Sequence, residues 1–172
     1  MNHSARVFLF TNYWWITIIA IALLVPMVTT FSRTEAITPN LVSLFAAGLG
    51  VVYFVQKQKL EETQLFQRLF IDFNTRYEKL NDRLQKILGD ATLDQSSVFF
   101  RNTLDDYFNL CAEEYLFYSQ GRILPVVWRS WCMGMLQYLK DTRISQYWNS
   151  QERMNSHYGL TLDRIREGGN SR

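Results

Sequence analysis

Hydrophobic and polar positions are segregated along this chain in two different ways. From Tyr13 to Phe31, YWWITIIAIALLVPMVTTF runs 19 residues without a charge, and ITPNLVSLFAAGLGVVYFV does the same from Ile37 to Val55. A bilayer core about 30 Å thick takes about 20 such residues in a helix. Only SRTEA, residues 32–36, separates the two runs. The pattern predicts a two-helix transmembrane hairpin over residues 1–55. A cleaved signal peptide fits worse, because the first run is long, opens on a bulky Tyr-Trp-Trp and is followed at once by a second. Gly48 and Gly50 allow close backbone approach in the second span, where Ser43, Ala47 and Gly48 offer a small-residue contact face.

Beyond Val55 the period changes. Phe66, Phe73, Leu80 and Ile87 fall seven apart, and Phe70, Tyr77 and Leu84 interleave with them at alternating steps of four and three. This is an a/d seam of about three heptads. With no Gly or Pro between Val51 and Leu88, the second span is expected to continue into a helical stalk over residues 56–88. The seam suits either a coiled-coil dimer or the face on which later helices pack. Its aromatic content favours the second.

GDATLDQSS, residues 89–97, breaks that helix and offers Asp94, Ser96 and Ser97 as caps for the next. Further helices are expected from about Ser97 to Ser119, from Pro125 at a first-turn position, and from Asp141 or Thr142. A weaker pattern at Leu160, Leu162 and Ile165 follows, with residues 168–172 read as a frayed tail. No stretch alternates with a strand period. The fold class expected is all-α, with the remaining helices of a cytosolic bundle over 97–167.

Charge changes the picture little. The chain carries 18 basic and 16 acidic side chains, and Arg6, Arg33 and Glu35 are the only ones before Gln56. The remainder is nearly balanced, which excludes the one-sided basic field that nucleic-acid binding needs. A mean hydropathy of −0.13 averages over two unlike halves. Lys57, Lys59 and Arg68 follow the second span, Arg6 precedes the first, and the turn's Arg33 is offset by Glu35. The positive-inside rule then puts both termini in the cytoplasm, with Tyr13, Trp14 and Trp15 at the membrane interface. In a reducing compartment Cys111 and Cys132 are expected as buried free thiols.

Candidate chemistry concentrates at FNLCAEEYLFYSQG, residues 108–121. At about 100° per residue, Glu114 falls in the middle of an apolar face with Phe100, Leu104, Tyr107, Phe108, Cys111, Tyr115 and Tyr118. Glu113 falls on the opposite side, among Asp105, Asp106 and Asn109, and is expected to face water. The doublet therefore cannot act as converging acid and base. A buried carboxylate needs a partner. Arg129 and Arg122 are the candidate cations, and Tyr77, Tyr107 and Tyr118 are candidate hydroxyl donors. The alternatives are a structural ion pair and a pocket that takes a cationic or hydroxyl-bearing ligand. Under the first, Glu114→Gln would strand a buried arginine at a cost of about 3–5 kcal/mol. Trp128, Trp131 and Trp148 at helical spacing suit a core, or an interface with a partner. Gly134 in mid-helix suggests close helix packing. Ser130, Ser145 and Ser156 have no convergent His and Asp, and no metal motif, phosphate loop or CxxC is present. The expectation is no catalytic residue, no metal and no cofactor.

The segments LFIDFNTRYEKLNDRL, LDDYFNLCAEEYLFYSQGRI and VWRSWCMGMLQYLKD, followed by SHYG, resemble an uncharacterised bacterial family of small helical proteins anchored by one or two membrane helices. The resemblance covers roughly residues 66–160. It implies an all-helical cytosolic module and a bacterial inner-membrane setting, where such proteins recur as candidate effector or accessory components of stress and phage defence. The expected function is a membrane-anchored interaction module, with the lipid bilayer and a protein partner or a second copy as its associates and no nucleic acid. The alternatives are a subunit of a transport complex and a membrane-bound enzyme using Glu114.

Overall fold

In the computed structural model, residues 3–31, 37–152 and 157–170 are described, and they form six α-helices with no strand among them. The helices are α1 His3–Phe31, α2 Ile37–Gly89, α3 Val98–Ser119, α4 Pro125–Tyr138, α5 Thr142–Glu152 and α6 Leu162–Asn170. The SRTEA connection, with Arg33 and Glu35, lies outside the described residues, as does Ser156. The chain divides into two compact units, residues 1–64 and 65–172, with α2 contributing to both.

In the first unit, α1 and the start of α2 are each long and apolar enough to cross a membrane. The stretch Asn12–Thr30 has a mean hydropathy of 1.8, and the apolar window of α2 reaches 1.6. Their large side chains point outward: Trp14, Trp15, Ile19, Leu23 and Met27 on α1, and Phe45, Leu49 and Phe54 on α2, are exposed. The hydroxyls along these helices turn back onto their own backbone, Thr17 onto the Tyr13 carbonyl and Thr29 and Thr30 onto that of Pro26. Such bonds satisfy hydroxyls without water. At Gly48 the two helices come close, since a Cβ there would stand 2.7 Å from Ile21 Cδ1. Gly50 meets nothing within 4 Å, so only the first of the two expected glycine approaches exists. Lys59 Nζ lies 4.6 Å from the centre of the Tyr13 ring.

The second unit inverts this arrangement. Phe73, Leu80, Leu84 and Ile87 of the seam are buried, and Phe66 and Tyr77 are partly so. The cover comes from the same chain: Phe73 packs on Phe117 and, edge-on, on Trp131. Phe100, Leu104, Phe108 and Leu110 of α3 share this core. Ser97 caps α3 by accepting from the Phe100 amide, and Asp94 organises the turn before it by accepting from the Ser96 amide and hydroxyl.

Two arginines of α2 fix its register against α3. Arg76 makes a two-point ion pair with Glu113, at 2.6 and 3.0 Å. Seven residues on, Arg83 donates to Asp106 and Thr103. As α2 advances from 76 to 83, α3 retreats from 113 to 106, so the helices run antiparallel. These pairs flank the apolar seam as charged pairs flank a coiled coil.

Arg143 at the start of α5 closes the other end. It donates to the carbonyls of Ile87, Asp90 and Leu93 and pairs with Asp141. It thereby satisfies the Ile87 carbonyl, which lies in the last turn of α2, and ties the turn that follows to α5.

The chain's end departs from expectation. Gly168 and Gly169 are helical and buried against α4, so the frayed tail does not begin at 168. A Cβ at Gly168 would stand 2.6 Å from both Cys132 Sγ and Trp128 Nε1. Only a glycine lets α6 approach α4 this closely, which a sequence pattern based on large apolar residues does not register.

Candidate functional site

Three helices of the second unit leave a pocket between them. Asn74 and Tyr77 of α2, Tyr107 and Glu114 of α3, and Ser130, Trp131, Gly134 and Met135 of α4 line about 220 Å³ of open space. Gly134 does not bring helices together: a Cβ there meets nothing within 4 Å, and its missing side chain leaves room in the pocket. The close-packing expectation at this position is wrong for that reason.

Glu114 forms part of the wall and is only 6% exposed. It makes no hydrogen bond or ion pair with any described residue. Burial pushes its pKa from 4.5 up to about 8, with the Arg76 charge opposing and the Glu113 charge adding to the rise. The carboxyl is therefore largely protonated at neutral pH when the pocket is empty.

The two glutamates have exchanged their expected relations. Glu113 is half-buried and holds the nearest cation, Arg76. Glu114 has none. Arg129 and Arg122 are both exposed and neither pairs with Glu114, so the expected buried ion pair does not exist and Glu114→Gln strands no arginine. Arg76 lies beside the apolar seam of α2 and not in it, so the heptad pattern does not point to it. The available signal was the seven-residue spacing of Arg76 and Arg83, matched by that of Asp106 and Glu113.

Around the carboxyl lies a cluster of aromatic hydroxyls. Tyr77 and Tyr138 hydroxyls are 2.9 Å apart, and the Tyr107 ring packs on both, at 6.5 and 5.3 Å between centres. Burial raises the pKa of Tyr77 and Tyr107 well above the usual tyrosine range, so both stay neutral donors and acceptors. Tyr118, the remaining hydroxyl candidate, stacks on Trp128 at 4.9 Å and does not line the pocket. Cys111 and Cys132 are free and buried, and burial, with the Glu114 charge behind it, raises both thiols. Neither is a poised nucleophile.

The tryptophans separate in role. Trp128 and Trp148 are buried, Trp148 edge-on to Phe108 and stacked with His157, which removes them as surface anchors for a partner. Trp131 is half-buried and lines the pocket. In the first unit Tyr13 is half-buried, while Trp14 and Trp15 are exposed. Among the described residues no cluster of His, Cys, Asp or Glu could hold a metal ion. No protein-family model matches the chain, and neither a curated protein nor a solved structure does.

Proposed function

We propose that this chain is an integral protein of the bacterial inner membrane, spanning it at Tyr13–Phe31 and Ile37–Val55 with both termini in the cytoplasm. Its helical unit from residue 65 onward is a cytosolic interaction module and not an enzyme. The observation that supports the anchoring is the outward exposure of large apolar side chains on both helices of the first unit, from Trp14 to Met27 and from Val42 to Phe54. Water is a poor solvent for so continuous an apolar surface, and a bilayer is a good one. The orientation rests on Lys57, Lys59 and Arg68 beyond the second span. The binding role rests on a pocket whose single buried carboxyl has no second acid or base converging on it. In the stress or phage-defence setting that the resemblance implies, such a module would serve as a membrane-anchored effector or accessory factor.

Alkaline extraction and a reporter fused after Arg172 test the reading. The chain is expected to stay with the membrane pellet, and the fusion to be active only with the reporter in the cytoplasm. Release into the alkaline supernatant overturns the anchoring. A reporter active in the periplasm overturns the orientation and, with it, the reducing environment of Cys111 and Cys132.

A further inference from the structure

We propose that the pocket around Glu114 is a binding site for a small organic ammonium ion, with the Glu114 carboxylate as its counter-ion. The inference goes beyond the anchoring and stands apart from it, because every lining residue belongs to the unit 65–172.

The first ground is the carboxyl itself. It is more than nine-tenths buried, forms part of the pocket wall and meets no partner among the described residues. Buried polar groups are as a rule hydrogen-bonded, and one that is not points to something that completes it. The second ground is the polarity of the remaining lining. The Asn74 side-chain amide donates to the Phe70 carbonyl at 2.7 Å. A carbonyl only accepts, so the nitrogen faces Phe70, and what Asn74 keeps for a ligand is its carbonyl oxygen, an acceptor, and one remaining N–H. Ser130 contributes a hydroxyl, which also accepts. No lysine or arginine lines the pocket. An ammonium group brings three donors and no acceptor, which matches this set, whereas an anion would meet a carboxylate and no cation.

The third ground is the shape and the rings. A volume of 220 Å³ corresponds to roughly seven water molecules at about 30 Å³ each. That admits a short amine and excludes a nucleotide. Tyr77, Tyr107 and Trp131 supply aromatic walls, which favour organic cations. A bare metal ion would find one carboxylate where hard cations take six or more oxygens.

Binding has a protonic consequence. The titratable groups around Glu114 are Arg76 and Tyr77 from α2, Tyr107, Cys111 and Glu113 from α3, and Cys132 and Tyr138 from α4. Arg76 keeps its charge on Glu113, and burial holds Tyr77, Tyr107, Cys111 and Cys132 in their neutral forms. Glu114 is thus the group that changes charge near neutrality. An arriving ammonium ion displaces its proton to solvent.

The test is calorimetry on the full chain in mild detergent with n-butylammonium, n-butanol and butyrate, and with Nα-acetyl-lysine amide standing in for a protein's lysine side chain. One or both amines are expected to bind, and neither the alcohol nor the acid. Below pH about 8 the affinity should rise about tenfold per pH unit and level off above it, as release of one proton requires. The apparent enthalpy should vary with the buffer's ionisation enthalpy. Free-amine binding alone identifies a small metabolite-like ligand, and lysine-analogue binding alone identifies a partner's side chain. Glu114→Gln should lose at least tenfold in affinity while still melting cooperatively, and Gly134→Leu, which keeps the carboxyl and fills the space, should lose as much. Binding of n-butanol or butyrate as tight as that of the amines overturns the proposal. So does amine binding without proton release, amine binding that survives Glu114→Gln, or no amine binding at all.

Discussion

The two units of this chain are both helical and both rich in large apolar side chains, yet they dispose of them in opposite directions. In residues 1–64 the one buried apolar residue among those described is Val52, while Trp15, Leu23, Leu49 and Phe54 face outward. In residues 65–172 Phe73, Leu84, Ile87, Phe100, Phe108, Trp128 and Trp148 face inward. A helix buries its apolar surface against whatever is apolar beside it. The second unit supplies that partner from its own chain, through the aromatic contacts of Phe73 with Phe117 and Trp131. Among the described residues of the first, such an approach is seen at Gly48, which lies against Thr17 and Ile21. The polar groups follow the same division. Hydroxyls in the first unit bond their own helix, whereas the second unit builds cross-helix pairs such as Arg76 with Glu113 and Tyr77 with Tyr138.

Paired truncations put this contrast at risk first, with the largest expected effect. Phe73→Ala should destabilise the second unit by about 3–5 kcal/mol, from lost burial and the cavity left behind. Phe54→Ala, at an exposed position of the first unit, should leave the same unfolding transition unmoved in detergent. Equal shifts in the two denaturation curves would mean that the exposed surface of the first unit is not exposed in the working protein.

Next in size is the polar exception inside the second unit. The Glu114 carboxyl has a higher pKa folded, about 8, than its ordinary 4.5. Between those values the folded state holds a proton that the unfolded state has lost. This carboxyl's contribution to stability is therefore greatest below pH 4.5 and declines as pH rises toward 8, by about 5 kcal/mol in all. Glu114→Gln removes that dependence. The variant should match the parent near pH 4.5 and exceed it by about 3 kcal/mol at pH 7. Chemical denaturation across this range measures the difference, and a variant with the parent's pH slope refutes the assignment to Glu114.

The smallest of the three effects concerns a clamp that has no counterpart described in the first unit. Arg143→Ala removes donors from the carbonyls of Ile87, Asp90 and Leu93. Because water can replace part of what is lost, the cost should be about 2 kcal/mol. Amide exchange should quicken selectively over residues 90–97. Uniform quickening along the whole chain would show that Arg143 acts on the core and not on the turn.

Local signals carried most of the element boundaries. Gly89, Ser97, Gly121 and Pro125 stop or start helices by chemistry that acts within a turn or two, and their helices begin and end where the sequence places them. The seam from Phe66 to Ile87 was legible for the same reason, since its period is a property of one helix. Which helix covers a seam is a different question, because it depends on side chains far apart in sequence.

Glu113 and Glu114 draw that line most sharply. The helical period alone sends them to different faces and buries Glu114, since adjacent residues on a helix diverge by about 100°. It could not say which face would meet a cation. Arg76 reaches Glu113 from a helix 37 residues away, and the arginines nearer in sequence, Arg122 and Arg129, turn to solvent. Likewise Gly134 and Gly168 are both helical glycines, one opening a pocket and the other admitting a neighbouring helix to 2.6 Å of where its Cβ would be. Sequence by itself determined the helices, the two uncharged runs and the burial of one carboxyl, all of which follow from local geometry and from the cost of exposing apolar surface to water. Only the tertiary structure decided that this carboxyl would have no partner among the described residues and would face open space, because that depends on how three helices meet around it.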